Sequence, residues 1–201
     1  MKLLLVSITG GGLPATYKLA QFHFHWGSGW WNGGSEHTLN GKRFPMEVHF
    51  VHVKKGLSLE EALKRPDGLA VVAVWFDYLP VYGVSTYALI VHLSNYLFLN
   101  MLLRRTPSVT YPEYGSYTVD AKIAHLLPEN HRRFFRYSGS LTTPSCNEVV
   151  IWTVLQQPSR VTEQQLAFLR RLRDKSSTSI SGNYRPTQAR NRREVLNVIT
   201  F

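Results

Sequence analysis

Gln21-Phe-His-Phe-His-Trp26 places two imidazoles two residues apart. In an extended chain, residues at i and i+2 share a face. Gln21, His23 and His25 therefore point one way, and Phe22, Phe24 and Trp26 the other. Two imidazoles at this spacing can reach one metal ion while the aromatic face packs inward. Glu47-Val-His-Phe-Val51 repeats the pattern, with Glu47, His49 and Val51 on one face. If the two strands are neighbours, His23, His25 and His49 converge, and three neutral imidazoles with a fourth position open describe a catalytic zinc site. A ligating histidine usually donates its second ring N–H to an acceptor that fixes its tautomer. Gln21 stands two residues before His23 and Glu47 two before His49, so these are their expected partners. An H-x-H pair is by itself a weak signal and also opens cupin metal sites. Those carry a Glu a few residues later on the same strand, whereas here the next acid is Glu36, beyond a glycine-rich loop.

The elements that must hold these residues are mostly strands. Period-two alternation predicts strands over Tyr17 to Trp26, Met46 to Val53, Leu69 to Phe76, Ser85 to Leu93 and Glu148 to Leu155. A first strand is expected to end at Gly10-Gly11-Gly12, and turns are expected at Gly27 to Gly34 and at Asn40-Gly41. Two helix starts are legible as capping boxes, Ser58 with Glu61 and Thr162 with Gln165. Leu57 is a candidate staple for the first, and Val161 can pack on Leu166 in the second. Leu166, Leu169 and Leu172 form an apolar stripe of core type. The fold class predicted is mainly β (α+β): a large twisted, mostly antiparallel central sheet with peripheral short helices, in one domain over residues 1 to 201.

The 201 residues carry a formal net charge of +10. Between Arg160 and Arg193 nine basic residues face two acids, Glu163 and Asp174. No recognition-helix, RNP or zinc-finger pattern accompanies them, so a solvated basic face is the reading and no nucleic-acid partner is expected. The apolar stretch Ala88 to Leu103 is broken by His92, Ser94, Asn95 and Asn100, a core pattern rather than a transmembrane segment. The opening Met-Lys-Leu-Leu-Leu-Val reads better as a strand than as a signal peptide, because no small-x-small cleavage site follows. Cys146 is the single cysteine, which excludes an internal disulfide.

Longer motifs add a resemblance. Gln21-Phe-His-Phe-His-Trp-Gly27, Gly34-Ser-Glu-His-Thr38, Gly41-Lys-Arg-Phe-Pro-Met-Glu-Val-His49, Leu126-Leu-Pro-Glu-Asn130, Gly139-Ser-Leu-Thr-Thr-Pro-Ser-Cys146, Trp152-Thr-Val and Asn183-Tyr-Arg-Pro186 closely resemble the α-class carbonic anhydrases, in family order from about Gly10 onward. The resemblance implies Zn2+ on His23, His25 and His49 and reversible hydration of carbon dioxide to bicarbonate, with sulfonamides as inhibitors. It implies that Thr142 orients the attacking hydroxide while donating its own proton to the buried Glu36. It places Thr143 in the substrate cleft, Val51, Val71, Leu141, Val150 and Trp152 on the apolar wall against which carbon dioxide sits, and the Asn183 carbonyl on His25.

By the same resemblance, the N-terminal portion of the family's domain is missing, and with it the histidine that relays protons to solvent. Neither His37 nor His52 can be assigned that role, so slowed turnover is expected. In secreted and membrane-bound members a cysteine at the position of Cys146 pairs with one in that portion, which points to an extracellular lineage, with a cytoplasmic free thiol as the alternative. Two other outcomes stand beside the enzyme: a catalytically silent, zinc-binding interaction protein, and a shortened domain that folds poorly because apolar surface is exposed. Silent members typically lack one or more metal histidines, whereas this chain keeps all three with Glu36 and Thr142.

Overall fold

A computed structural model describes residues 6–29, 31–79, 86–104 and 122–200. Seven strands form one sheet in the order β1-β2-β5-β6-β8-β7-β9. They are β1 (Ser7–Ile8), β2 (Tyr17–Trp26), β5 (Met46–Lys54), β6 (Leu69–Tyr78), β7 (Arg133–Gly139), β8 (Val150–Val161) and β9 (Leu196–Ile199), while β3 (Thr38–Leu39) and β4 (Lys42–Arg43) pair separately. All neighbours in the large sheet run antiparallel except β6 and β8, which are parallel. The mainly β class expected from the alternation is the one observed.

Side-chain alternation sorts the two faces. On one, Trp26, Val48, Phe50, Val74, Phe76 and Leu155 join Phe98, Leu99 and Leu166 in a core between sheet and helices. On the other, Val51, Val71, Ala73, Trp75, Val150, Trp152 and Val154 pack with Phe44. The central strand β5 is therefore buried from both sides, continuously from Met46 to His52. A strand enclosed this way gives its polar residues, Glu47, His49 and His52, no route to bulk water, so each must find a partner inside.

Both capping boxes form. Ser58 accepts from the Glu61 N–H and opens α1 (Leu59–Ala62), and Thr162 does the same with Gln165 at α3 (Glu163–Leu169). Leu57 and Ala62 belong to the apolar cluster on the histidine face of the sheet, and Leu166, Leu169 and the half-buried Leu172 to the cluster on the other. The hairpin turn at Asn40-Gly41 is two residues long, both with positive φ (50° and 81°), the geometry that joins antiparallel strands with matching twist.

One expected strand is a helix. The segment predicted as a strand over Ser85 to Leu93 lies at the start of α2 (Thr86–Leu103), Ser85 itself falling outside the described residues. Asn95, Phe98, Leu99 and Leu103 are buried, whereas Leu93, Leu97 and Met101 are exposed, which is a helical spacing of three and four. A short apolar run fits either period, and here tertiary packing selects the helix, whose Phe98, Leu99 and Leu103 join the core on one side of the sheet. The strand predicted over Glu148 to Leu155 begins at Val150 and continues to Val161. No alternation in the sequence predicts β7 or β9. Among the described residues no helix is long and apolar enough to cross a membrane.

Candidate metal centre

Register brings the two histidine strands together. β2 and β5 are antiparallel with His23 opposite His49 and His25 opposite Glu47, after an irregularity between Leu19 and Gln21. Because His23 and His25 share a face, their rings meet that of His49: the centroids lie 4.9 Å (23 to 25), 5.3 Å (23 to 49) and 4.6 Å (25 to 49) apart.

Each ring has one nitrogen engaged by a group that accepts. His23 Nδ1 donates to Gln21 Oε1 at 2.8 Å, His25 Nδ1 to the Asn183 carbonyl at 3.0 Å, and His49 Nε2 to Glu47 Oε1 at 2.6 Å. Those bonds fix the tautomers. The bare lone pairs are then His23 Nε2, His25 Nε2 and His49 Nδ1, and His25 Nε2 stands 3.2 Å from His49 Nδ1. Two lone pairs facing each other at this distance repel unless a cation lies between them. Metal–nitrogen bonds of 2.0–2.1 Å in a tetrahedron put nitrogens about 3.3–3.4 Å apart, so the residues present fit a small divalent metal. The three side chains can bring ligand atoms within 4.8 Å of one another. Burial, helped by the neighbouring His25 and opposed by Glu47, pushes His23 down to about 4 and His49 down to about 3. Both are therefore neutral at physiological pH, the state in which imidazole binds metals.

Glu47 is the buried hinge of this arrangement, with none of its surface exposed. Burial alone would raise its pKa, but His37 and His49 outweigh that and hold it below the usual carboxylate range. Besides His49, its Oε1 accepts from His37 Nδ1 at 2.6 Å, and its Oε2 accepts the His37 backbone N–H at 2.9 Å. His37 Nε2 in turn accepts from the Tyr137 hydroxyl at 2.6 Å. Burial raises the Tyr137 pKa, keeping that hydroxyl protonated and able to donate. The sequence pattern assigns no role in the site to His37 or Tyr137. Adjacency to Glu36 was the only signal for His37, and Tyr137 sits on an unpredicted strand 100 residues away.

The glycine-rich loop sets Glu36. A β-carbon on Gly34 would stand 2.1 Å from the Gly27 nitrogen, so the chain folds back directly onto the end of β2. Ser35 then ties the loop, donating to the His37 carbonyl at 2.6 Å and accepting from the Phe44 N–H at 2.9 Å. Glu36 is 8% exposed. Its Oε1 accepts from the Arg185 N–H at 2.8 Å and lies 3.4 Å from His25 Nδ1, while its Oε2 is 3.9 Å from His49 Nδ1 and has no hydrogen-bond partner. Thr142, half-buried, lines the same cavity as Glu36 without a hydrogen bond between them. Thr143 is exposed.

Val51, Val71 and Trp152 lie side by side across β5, β6 and β8 on the histidine face. Val150 is on the same face two residues before Trp152, and the half-buried Leu141 packs against this group. The Trp152 ring stands 4.8 Å from that of His49. Asn183 contributes more than its carbonyl: its side chain accepts from Trp26 N–H at 2.8 Å and donates to the Phe24 carbonyl at 2.9 Å, locking the segment beside the end of β2. Cys146 is half-buried and free.

The model of the eukaryotic-type carbonic anhydrase family matches residues 2–199. "Putative carbonic anhydrase 5" of Caenorhabditis elegans is 40% identical over 190 residues, covering 94% of this chain and 56% of that relative. Carbonic anhydrase 4 of Oryctolagus cuniculus is 38% identical over 164 residues, 80% of this chain and 49% of that relative. Carbonic anhydrase 7 of Homo sapiens is 36% identical over 187 residues, 90% of this chain and 65% of that relative. The chain thus spans about half to two-thirds of the length of these relatives. With the family's model matched almost end to end, the chain belongs to the eukaryotic-type carbonic anhydrases.

Proposed function

We propose that this chain binds Zn2+ through His23 Nε2, His25 Nε2 and His49 Nδ1 and catalyses the reversible hydration of carbon dioxide. The observation that carries this reading is the convergence of three lone pairs whose opposite nitrogens are each held by an acceptor. When bound, Zn2+ supplies Lewis acidity that makes a water nucleophilic near neutral pH, with a pKa of about 7 as established for carbonic anhydrases.

The chain's own residues do the rest. Gln21, the Asn183 carbonyl and Glu47 keep the imidazoles in the ligating tautomer, and His37 with Tyr137 keeps Glu47 aimed at His49. The unpartnered oxygen of Glu36 is a natural acceptor for the Thr142 hydroxyl. Once that hydroxyl has donated, its oxygen can only accept from the reacting water, which turns a lone pair of that water toward the substrate. Carbon dioxide has no hydrogen to donate and is held by shape and apolar contact. Val51, Val71, Val150, Trp152 and Leu141 supply that wall, and the exposed Thr143, next to Thr142 in the chain, is assigned to the substrate cleft by the family resemblance. His37 and His52 are tied into the interior by hydrogen bonds, His52 to the Phe50 carbonyl at 2.8 Å, so neither is free to carry a proton outward.

The test is stopped-flow hydration on protein of known zinc content, with a sulfonamide as inhibitor. One zinc per chain with inhibitable hydration is expected. One zinc per chain with no hydration would favour the metal-binding, non-catalytic alternative.

A further inference from the structure

Helix α2 is apolar on two opposite sides. Phe98, Leu99 and Leu103 are turned into the core and are 5%, 0% and 2% exposed, whereas Leu93, Leu97 and Met101 are 49%, 55% and 38% exposed. The exposed Arg104, whose N–H bonds the Asn100 carbonyl at 2.9 Å, continues the last turn. With about 3.6 residues per turn, Leu93, Leu97, Met101 and Arg104 fall within an arc of about 80° and form one stripe along the helix. The stripe is remote from the metal centre, because α2 joins the core on the sheet face opposite the histidines. It packs over β8, an interior strand of the sheet, and against α3 and the 3₁₀ turn Ile123–Leu126.

A contiguous apolar stripe left in water is unfavourable and marks a surface that something covers. Charge decides what. α2 carries no acidic residue, and Arg104 forms no ion pair with a carboxylate among the described residues. Exposed cations also stand at the ends of both elements that pack against α2: Arg171 just beyond α3, and Lys122 just before the 3₁₀ turn. The whole chain has a formal net charge of +10. A second copy would bring the same charge to this face, so self-association is opposed by repulsion. An anionic bilayer offers both counterparts, an acyl boundary for the aliphatic stripe and phosphates for the cations. An arginine at the end of such a stripe lays its stem along the apolar surface and keeps its head among the headgroups. With its other side packed on the sheet, α2 can only lie along such a surface.

We propose that the outer face of α2 docks this chain on an anionic phospholipid surface. Leu93, Leu97 and Met101 enter the acyl boundary and Arg104 meets the lipid phosphates, with Arg171 and Lys122 adding to the attraction. It is tested by flotation of the zinc-loaded chain with phosphatidylcholine vesicles containing about one-third phosphatidylserine, beside vesicles of phosphatidylcholine alone. Binding to the mixed vesicles is expected to be about tenfold or more the tighter of the two. The triple variant Leu93→Ser, Leu97→Ser, Met101→Ser should weaken it about tenfold or more, and Arg104→Glu about fivefold, both with melting temperature and zinc content unchanged. No binding to the mixed vesicles, equal binding to both kinds, or indifference to the triple variant would overturn the proposal. A dimer in sedimentation that the triple variant abolishes would give the stripe to a second copy and overturn it too. So would a clear fall in the melting temperature of that variant, which would show that the chain itself covers the stripe.

Discussion

Glu47 carries the sharpest consequence at the scale of single residues. It is fully buried and shared between His49 and His37, so replacing it with an amide removes a charge from two hydrogen bonds and offers His49 an N–H in half of its orientations. Glu47→Gln should weaken zinc binding about 10- to 100-fold, the usual cost of losing an acceptor behind a ligating histidine, measured by competition with a chromophoric chelator. Gln21→Ala should cost less, because the bond that it makes to His23 is exposed to solvent. Thr142→Val tests a different step. Hydration should fall about 100-fold through lost orientation of the reacting water, while zinc stoichiometry and melting stay put. Loss of zinc in that variant would show that Thr142 has a structural part instead.

At the scale of elements, the site depends on a loop that closes on a strand end. Gly34→Ala puts a methyl into the Gly27 backbone, 2.1 Å from its nitrogen, and no rotamer relieves a backbone clash. A loss of about 3 kcal/mol or more is expected in urea unfolding, at the upper end of overpacking costs. Thr162→Ala removes only the capping bond of α3 and should cost about 1 kcal/mol with zinc binding intact. The elements that hold the ligands were legible in the sequence for a physical reason: Phe22, Phe24 and Trp26 of β2 and Met46, Val48 and Phe50 of β5 alternate with Gln21, His23 and His25 and with Glu47 and His49, a clear period of two. The segment after Thr86 carried apolar residues at both spacings, and only packing chose the helix. Strand β7, Arg-Phe-Phe-Arg-Tyr-Ser-Gly, was hidden because adjacent aromatics blur the alternation, and β9 is a four-residue edge strand. The triad could be proposed from spacing, but the links from Glu47 to His37 and on to Tyr137 join residues 10 and 100 positions apart, which no local pattern records.

For the molecule as a whole, the proposed site would couple metal to fold. A zinc ion held by β2 and β5 would relieve the facing lone pairs of His25 and His49 and tie neighbouring strands of the sheet. Free zinc at 1,000 times its dissociation constant should add about 4 kcal/mol to stability, and chelation should lower the melting temperature by roughly ten degrees, read by calorimetry. With His37 and His52 both held in the interior, proton transfer to solvent should limit turnover, so imidazole buffers should accelerate hydration in proportion to their concentration. A rate indifferent to buffer would place the limit elsewhere. The central claim is the three-nitrogen centre itself, and X-ray absorption at the zinc edge addresses it directly. Three nitrogen ligands and one light oxygen ligand at about 2.0–2.1 Å are predicted, one zinc per chain. A sulfur ligand near 2.3 Å, a six-oxygen shell, or an unchanged spectrum in His25→Ala would contradict it.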